Sequence, residues 1–186
     1  FIPGFFPAIV EKNKGYASKM LSLSILATIQ IQADKLVISK LLPIGFVGYY
    51  GALYSGLSRG SLFADSVSQA AFPSFSALFK NKHIASLLAK YWQLQDLVVI
   101  LTLPFFALLP FFVTPLFTYV FNAAIAQDLF LPTLFLALGF YLQGTFTIPY
   151  FFSLAVEKPE ISVRTNFLAL FVVLPVTIAL VYFFGL

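Results

Sequence analysis

Leu97–Gln127, LVVILTLPFFALLPFFVTPLFTYVFNAAIAQ, and Leu129–Val156, LFLPTLFLALGFYLQGTFTIPYFFSLAV, hold no charged residue, and only Asp128 divides them. A charge at the centre of a bilayer costs at least about 2.5 kcal/mol, and a hydrocarbon core of ~30 Å takes ~20 apolar residues of helix. Each run is therefore long enough to cross a membrane. The turn FNAAIAQD between them predicts an antiparallel pair. Composition agrees: with 60% hydrophobic and 10% charged residues, a chain of 186 residues has too little polar surface to cover a water-soluble globule.

Working outward, a third clean run, Thr165–Leu186, follows the polar knot EKPEISVR, where Pro159 suits the first turn of a helix. Two less clean spans precede the pair, Ser18–Leu42 and Ile44–Phe75, separated at Pro43 and Gly45 in LLPIGFVG. The expected fold is all-α, a polytopic membrane helix bundle of about five transmembrane helices. The spans run over roughly 18–42, 44–75, 93–121, 129–156 and 160–186. Segment 76–92 reads as interfacial, because Leu78, Ile84, Leu87, Leu88 and Trp92 recur at helical spacing among Lys80, Lys82 and Lys90, with Tyr91 and Trp92 at headgroup depth. With a cytoplasmic N-terminus, the basic groups at Lys12 to Lys19, Lys80 to Lys90, and Lys158 with Arg164 all fall inside. Only Lys40 falls outside, and the turn at Asn122–Asp128 has no basic residue, as the positive-inside rule expects. Prolines 104, 110, 115, 132, 149 and 175 predict bends.

Several chemistries are disfavoured. The chain has no cysteine and one histidine, so neither a metal site nor any other cofactor is expected, and His83 reads as a solvated loop residue. The net charge of +4 is spread between apolar segments, not gathered in a patch, so nucleic acid is not a partner. No cleavable signal is legible, and the chain opens as if cut from a longer one. Gln95 and Asp96 read as capping or solvating the start of the third span, and the Phe-rich FFALLPFFV as lipid-facing bulk.

The second span is the anomaly. On a helix, Gly48–Phe72 places Ser55, Ser58, Arg59, Ser61, Asp65, Ser66, Ser68 and Gln69 on one half of the surface, apart from Leu62 and Phe72. Opposite runs a ridge of small residues, Gly48, Ala52, Gly56, Gly60 and Ala64, suited to close helix packing. A polar stripe of ~180° does not face lipid; it suits a water-filled cavity. Arg59 lies about 22 Å into the span, too deep to snorkel, so it meets either an anion or a carboxylate. The preceding span has a companion in IQIQADKLVISK, where Gln30 and Asp34 share a face and Gln32, Lys35 and Ser39 line the next. Two readings stay open: the acids Asp34 and Asp65 neutralise Lys35 or Arg59, or both helices line a substrate or ion pathway.

The order of residues in IQIQADKLVISKLLPIGFVGYY resembles the opening of the second lobe of bacterial polysaccharide flippases. SQAAFPSFSALF is similar to the family's apolar, proline, serine ending of the next helix, and VEKPEISVRTNFLAL to its short cytoplasmic loop. The chain thus resembles Wzx-type O-antigen flippases, of the exporter superfamily that also holds multidrug antiporters. The resemblance implies a bacterial inner-membrane, multi-pass transporter, not an enzyme. It implies two lobes of about twelve or more helices around a central cavity, this chain matching helices seven to eleven as a partial second lobe. The first lobe is absent from the sequence, so the expectation is a fragment. The implied substrate is an oligosaccharide joined through pyrophosphate to a polyprenol, moved from the cytoplasmic to the periplasmic leaflet. Implied partners are that lipid-linked oligosaccharide, membrane lipid, the first lobe and polysaccharide polymerase machinery. Carried onto this sequence, the cavity set is Arg59, Lys35, Asp34, Asp65, Gln30, Ser58 and Gln69, with the two basic residues toward phosphate or acidic sugars and the two acids as partners or coupling-ion sites.

Three rival functions predict different residues. A cation-coupled multidrug antiporter of the same superfamily calls for a cavity of carboxylates and aromatics, which Arg59 and Lys35 oppose. A polytopic glycosyltransferase calls for catalytic residues on a sizeable external loop, and the external connections here are short. A scaffold subunit predicts that neutralising the stripe alters assembly and leaves lipid movement intact.

Overall fold

Leu, Ala and Phe dominate this chain and favour long helices, which persist even where glycines and prolines fall inside them. The computed structural model describes residues 14–15, 17–29 and 44–184, and among these every regular element is helical. The chain divides into two units, Phe1–Leu41 with Glu157–Leu186, and Leu42–Val156.

The first unit contains α1 (Ala17–Ile29) and α7 (Pro159–Phe184). Pro159 opens α7, as its fixed φ and missing N–H favour. Hydroxyls of α1 fold back onto their own helix: Ser22 donates to Ser18 O at 3.0 Å, Ser24 to Met20 O at 3.1 Å and Thr28 to Ser24 O at 2.8 Å. The helix therefore satisfies these polar groups without outside partners. Lys19 Nζ meets Glu160 Oε2 at 3.2 Å, an ion pair that ties α1 to the polar first turn of α7. The part of the first span from Gln30 to Pro43 lies outside the described residues.

The second unit contains α2 (Ile44–Ser58), a 3-10 turn (Arg59–Ser61), α3 (Leu62–Lys80), α4 (Ile84–Val120), α5 (Ala123–Asp128) and α6 (Phe130–Ala155). Helix α6 packs on both α3 and α4, and α3 on α4. One apolar cluster joins Leu53 and Leu57 of α2 to Phe106, Phe117, Leu129, Ala137 and Phe140. A second joins Ala64, Ala71 and Phe75 of α3 to Leu87, Val98, Ile148 and Ala155. The 3-10 turn lies where the chain passes from one cluster to the other.

Segment 76–92, read as interfacial, is shared between two long helices. Helix α3 continues to Lys80, a short turn follows, and α4 starts at Ile84 and runs unbroken for 37 residues, about 55 Å. Its first turns, IASLLAKYWQLQ, hold no Gly or Pro and several strong helix formers, so nothing interrupts it. Pro104, Pro110 and Pro115 all lie inside α4. Within the turn that follows α4, Asn122 Oδ1 accepts the Ile125 N–H at 2.8 Å and starts α5. Among the described residues, α4 and α6 are the two helices long and apolar enough to cross a membrane.

Candidate functional site

The α2–α3 join positions the residues singled out above. Its buried positions are Leu53, Leu57, Ala64, Ser68, Ala71 and Phe75, with half-buried Gly60 completing a ladder of four- and three-residue steps. One face thus stays turned inward through the 3-10 turn. Serine hydroxyls help tighten it: Ser58 donates to Ser55 O at 3.1 Å and Ser61 to Ser58 O at 2.7 Å, while the Leu62 N–H reaches Arg59 O. Gly60 is required by close approach. A Cβ there would strike Phe105 Cε1 and stand 2.9 Å from Phe106 Cζ.

The inward face is not the small-residue ridge read from sequence. Gly48, Ala52 and Gly56 are exposed, and the contact is made by Leu53 and Leu57, with Ala64 the ridge member that is buried. The polar stripe is corrected at its other edge. Ser68 is 0% exposed and donates to Ala64 O at 2.7 Å, so it belongs to the dry helix contact. The reason is angular: a serine that bonds to its own helix is small enough to sit in a contact, and larger apolar neighbours pull that face inward.

The remaining stripe spreads over two aspects of the helix. Arg59, Ser55, Ser66 and Gln69 are exposed; Ser58, Ser61 and Asp65 are half-buried. Arg59 and Asp65 lie six positions apart, about 240° round an ideal helix. Among the described residues neither forms an ion pair. Gln30, Asp34 and Lys35 lie outside the described residues.

Arg59 instead borders an open groove of about 450 Å³, whose other walls are Gly56, Gly60, Phe63, Leu101, Thr102 and Phe105. Thr102 spends its hydroxyl on Val98 O at 2.6 Å. Among the described residues, Arg59 is thus the one charged residue lining a groove that is otherwise mainly apolar. Its planar fork of donors matches phosphate or carboxylate oxygens bidentately, and the aromatic and leucine walls suit an apolar chain attached to such an anion.

No family model, characterised protein or solved structure matches this chain.

Two cross-helix polar contacts were not legible as such. Gln95 does not cap a helix start, since α4 begins at Ile84. Its Nε2 donates to Thr145 O at 3.0 Å. That carbonyl lies four residues before Pro149, which has no N–H to give it. Gln95 therefore supplies, from a neighbouring helix, the donor that proline withholds; its Oε1 is buried without a partner. The signal was present as a glutamine just ahead of one apolar run and a proline inside the next. Lys90 Nζ likewise meets Ser74 Oγ at 2.6 Å, joining α4 to α3.

Proposed function

We propose that this chain is the partial second lobe of a bacterial inner-membrane flippase, carrying polyprenyl-pyrophosphate-linked oligosaccharides from the cytoplasmic to the periplasmic leaflet. Its five spans follow the runs 18–42, 44–75, 93–121, 129–156 and 160–186. One observation carries the reading: Arg59, without a carboxylate partner among the described residues, borders a groove with apolar walls. A buried or membrane-embedded cation that is not spent on a structural pair is free to meet an anionic ligand. A sugar-pyrophosphate head does not cross hydrocarbon unaided, because its charges lose hydration. In this mechanism Arg59 takes up the phosphate as water is shed, Phe63, Leu101 and Phe105 accompany the prenyl chain, and rocking of two lobes opens the path to alternate sides. A cation at this groove, without a carboxylate partner among the described residues, also favours this reading over export of organic cations, which it would repel.

The test uses the full-length protein. Arg59→Ala is expected to abolish most surface glycan at matched protein abundance, and Arg59→Lys to retain part of it, since lysine keeps the charge and loses the bidentate fork. Normal glycan with Arg59→Ala removes Arg59 from the mechanism.

A further inference from the structure

We propose that the corner where α3 meets α4 is a binding surface for anionic phospholipid headgroups. Ile84, Leu88 and Trp92 follow one another at four-residue steps on the first turns of α4 and are 48%, 46% and 60% exposed. They form an uncovered apolar strip on one side of the helix. Beside it stand Lys80 and Lys82, both exposed. Between Asp65 and Asp96 the chain holds Lys80, Lys82 and Lys90 and no acidic residue, and α6, which packs here through Phe152 and Ala155, is followed by one exposed charge of each sign, Glu157 and Lys158. Lys90 is engaged with Ser74. Asp96, the nearest acid along α4, lies about 21 Å of helix from Lys82, beyond the ~8 Å over which exposed charges act in physiological salt.

The turn fixes these lysines in place. The His83 N–H reaches Leu78 O at 3.0 Å and the Lys82 N–H reaches Phe79 O at 3.0 Å, a Schellman closure with Lys82 at φ 57°. Lysine thus occupies the left-handed position that favours glycine. The level is right for headgroups on two counts. Along α4 the charge-free run starts at Leu97, about 7 Å past Trp92, which is the depth of one headgroup layer. Along α6, ~20 residues of hydrocarbon counted from Leu129 end near Pro149, one turn past the Thr145 carbonyl that Gln95 holds and close to Phe152, whose ring lies 4.9 Å from that of Tyr91. Tryptophan favours this zone. A protein partner would also cover an apolar strip, but two exposed lysines beside it at this depth select a bilayer bearing acidic lipid. The inference needs a bilayer and stands whether or not Arg59 moves a substrate.

Trp92, the one tryptophan of the sequence, reports on its own surroundings. A chain whose only tryptophan is Trp92 is reconstituted in phosphatidylcholine vesicles with equal fractions of brominated phosphatidylglycerol or brominated phosphatidylcholine. The expected result is stronger quenching by the brominated acidic lipid, a preference of about fivefold for each lysine engaged. The variant Lys80→Gln with Lys82→Gly removes both charges and relaxes the left-handed turn, so it folds, and is expected to quench equally with the two lipids. Equal quenching in the unaltered chain overturns the proposal. So does absence of quenching by either lipid, which would mean that protein or water covers the strip, and so does a preference that survives loss of both lysines.

Discussion

The Gln95–Thr145 contact offers a test of how α6 tolerates Pro149. In an unbroken helix the Thr145 carbonyl would accept the N–H of residue 149; proline has none, and Gln95 Nε2 stands 3.0 Å away in its stead. Interhelical hydrogen bonds in bilayers contribute about 0.6 kcal/mol on average and up to about 1.7. Gln95→Leu alone is not diagnostic, because it also removes a buried Oε1 that has no partner, and the two effects offset. A double-mutant cycle with Pro149→Ala isolates the contact. The Pro149→Ala variant returns a backbone donor to Thr145, so the glutamine amide becomes redundant there. Gln95→Leu is therefore expected to destabilise the chain that keeps Pro149 more than the chain carrying Pro149→Ala, by about 0.5 to 1.5 kcal/mol. SDS-driven unfolding in mixed micelles, followed by near-UV circular dichroism with equal slopes for all four proteins, measures the difference. A coupling within about 0.3 kcal/mol of zero, or of opposite sign, refutes the assignment of Gln95 as the donor that replaces Pro149.

The same unfolding assay separates two glycines. Gly60→Ala is expected to cost about 1 to 3 kcal/mol, since the new methyl meets the rings of Phe105 and Phe106. Gly144→Ala, whose Cβ would lie an ordinary 3.6 Å from Ala64 Cβ, should be neutral or gain up to about 1 kcal/mol of helix preference, and equal costs at the two sites would contradict the packing described. Because the chain has no native cysteine, single-cysteine labelling reads the helix faces directly: Gln69→Cys should react with a water-soluble maleimide and Ser68→Cys should not. Rapid labelling at position 68 would place the stripe back in water. Lys19→Ala, which removes the ion pair with Glu160, is expected to cost no more than about 1 kcal/mol in the same assay, since both side chains are partly exposed; a larger loss would contradict the exposed geometry of the pair.

The helical class, the long charge-free runs and their separation at Asp128 could be read from the order of residues, because helix formation and apolar length depend on neighbours along the chain. One boundary could not: the 76–92 segment read as one interfacial piece because lysines recur among its apolar residues, yet α3 carries the chain to Lys80 and α4 takes it up again at Ile84, so the segment is shared between two long helices.

The site divides in the same way. Sequence singled out Arg59, Ser58, Asp65 and Gln69 as polar residues where apolar ones were due. Which way they turn is a matter of competition between faces, and only tertiary packing decides it. Leu53, Leu57, Ala64, Ala71 and Phe75 take the inward side, Ser68 goes with them, and Arg59 is left beside Phe63 and Phe105. Helical periodicity gives the angle between two residues but not the direction of the core, since that is set by partners far along the chain. For the same reason Gln95 and Thr145, fifty positions apart, could be known as a pair only once α4 and α6 were laid side by side.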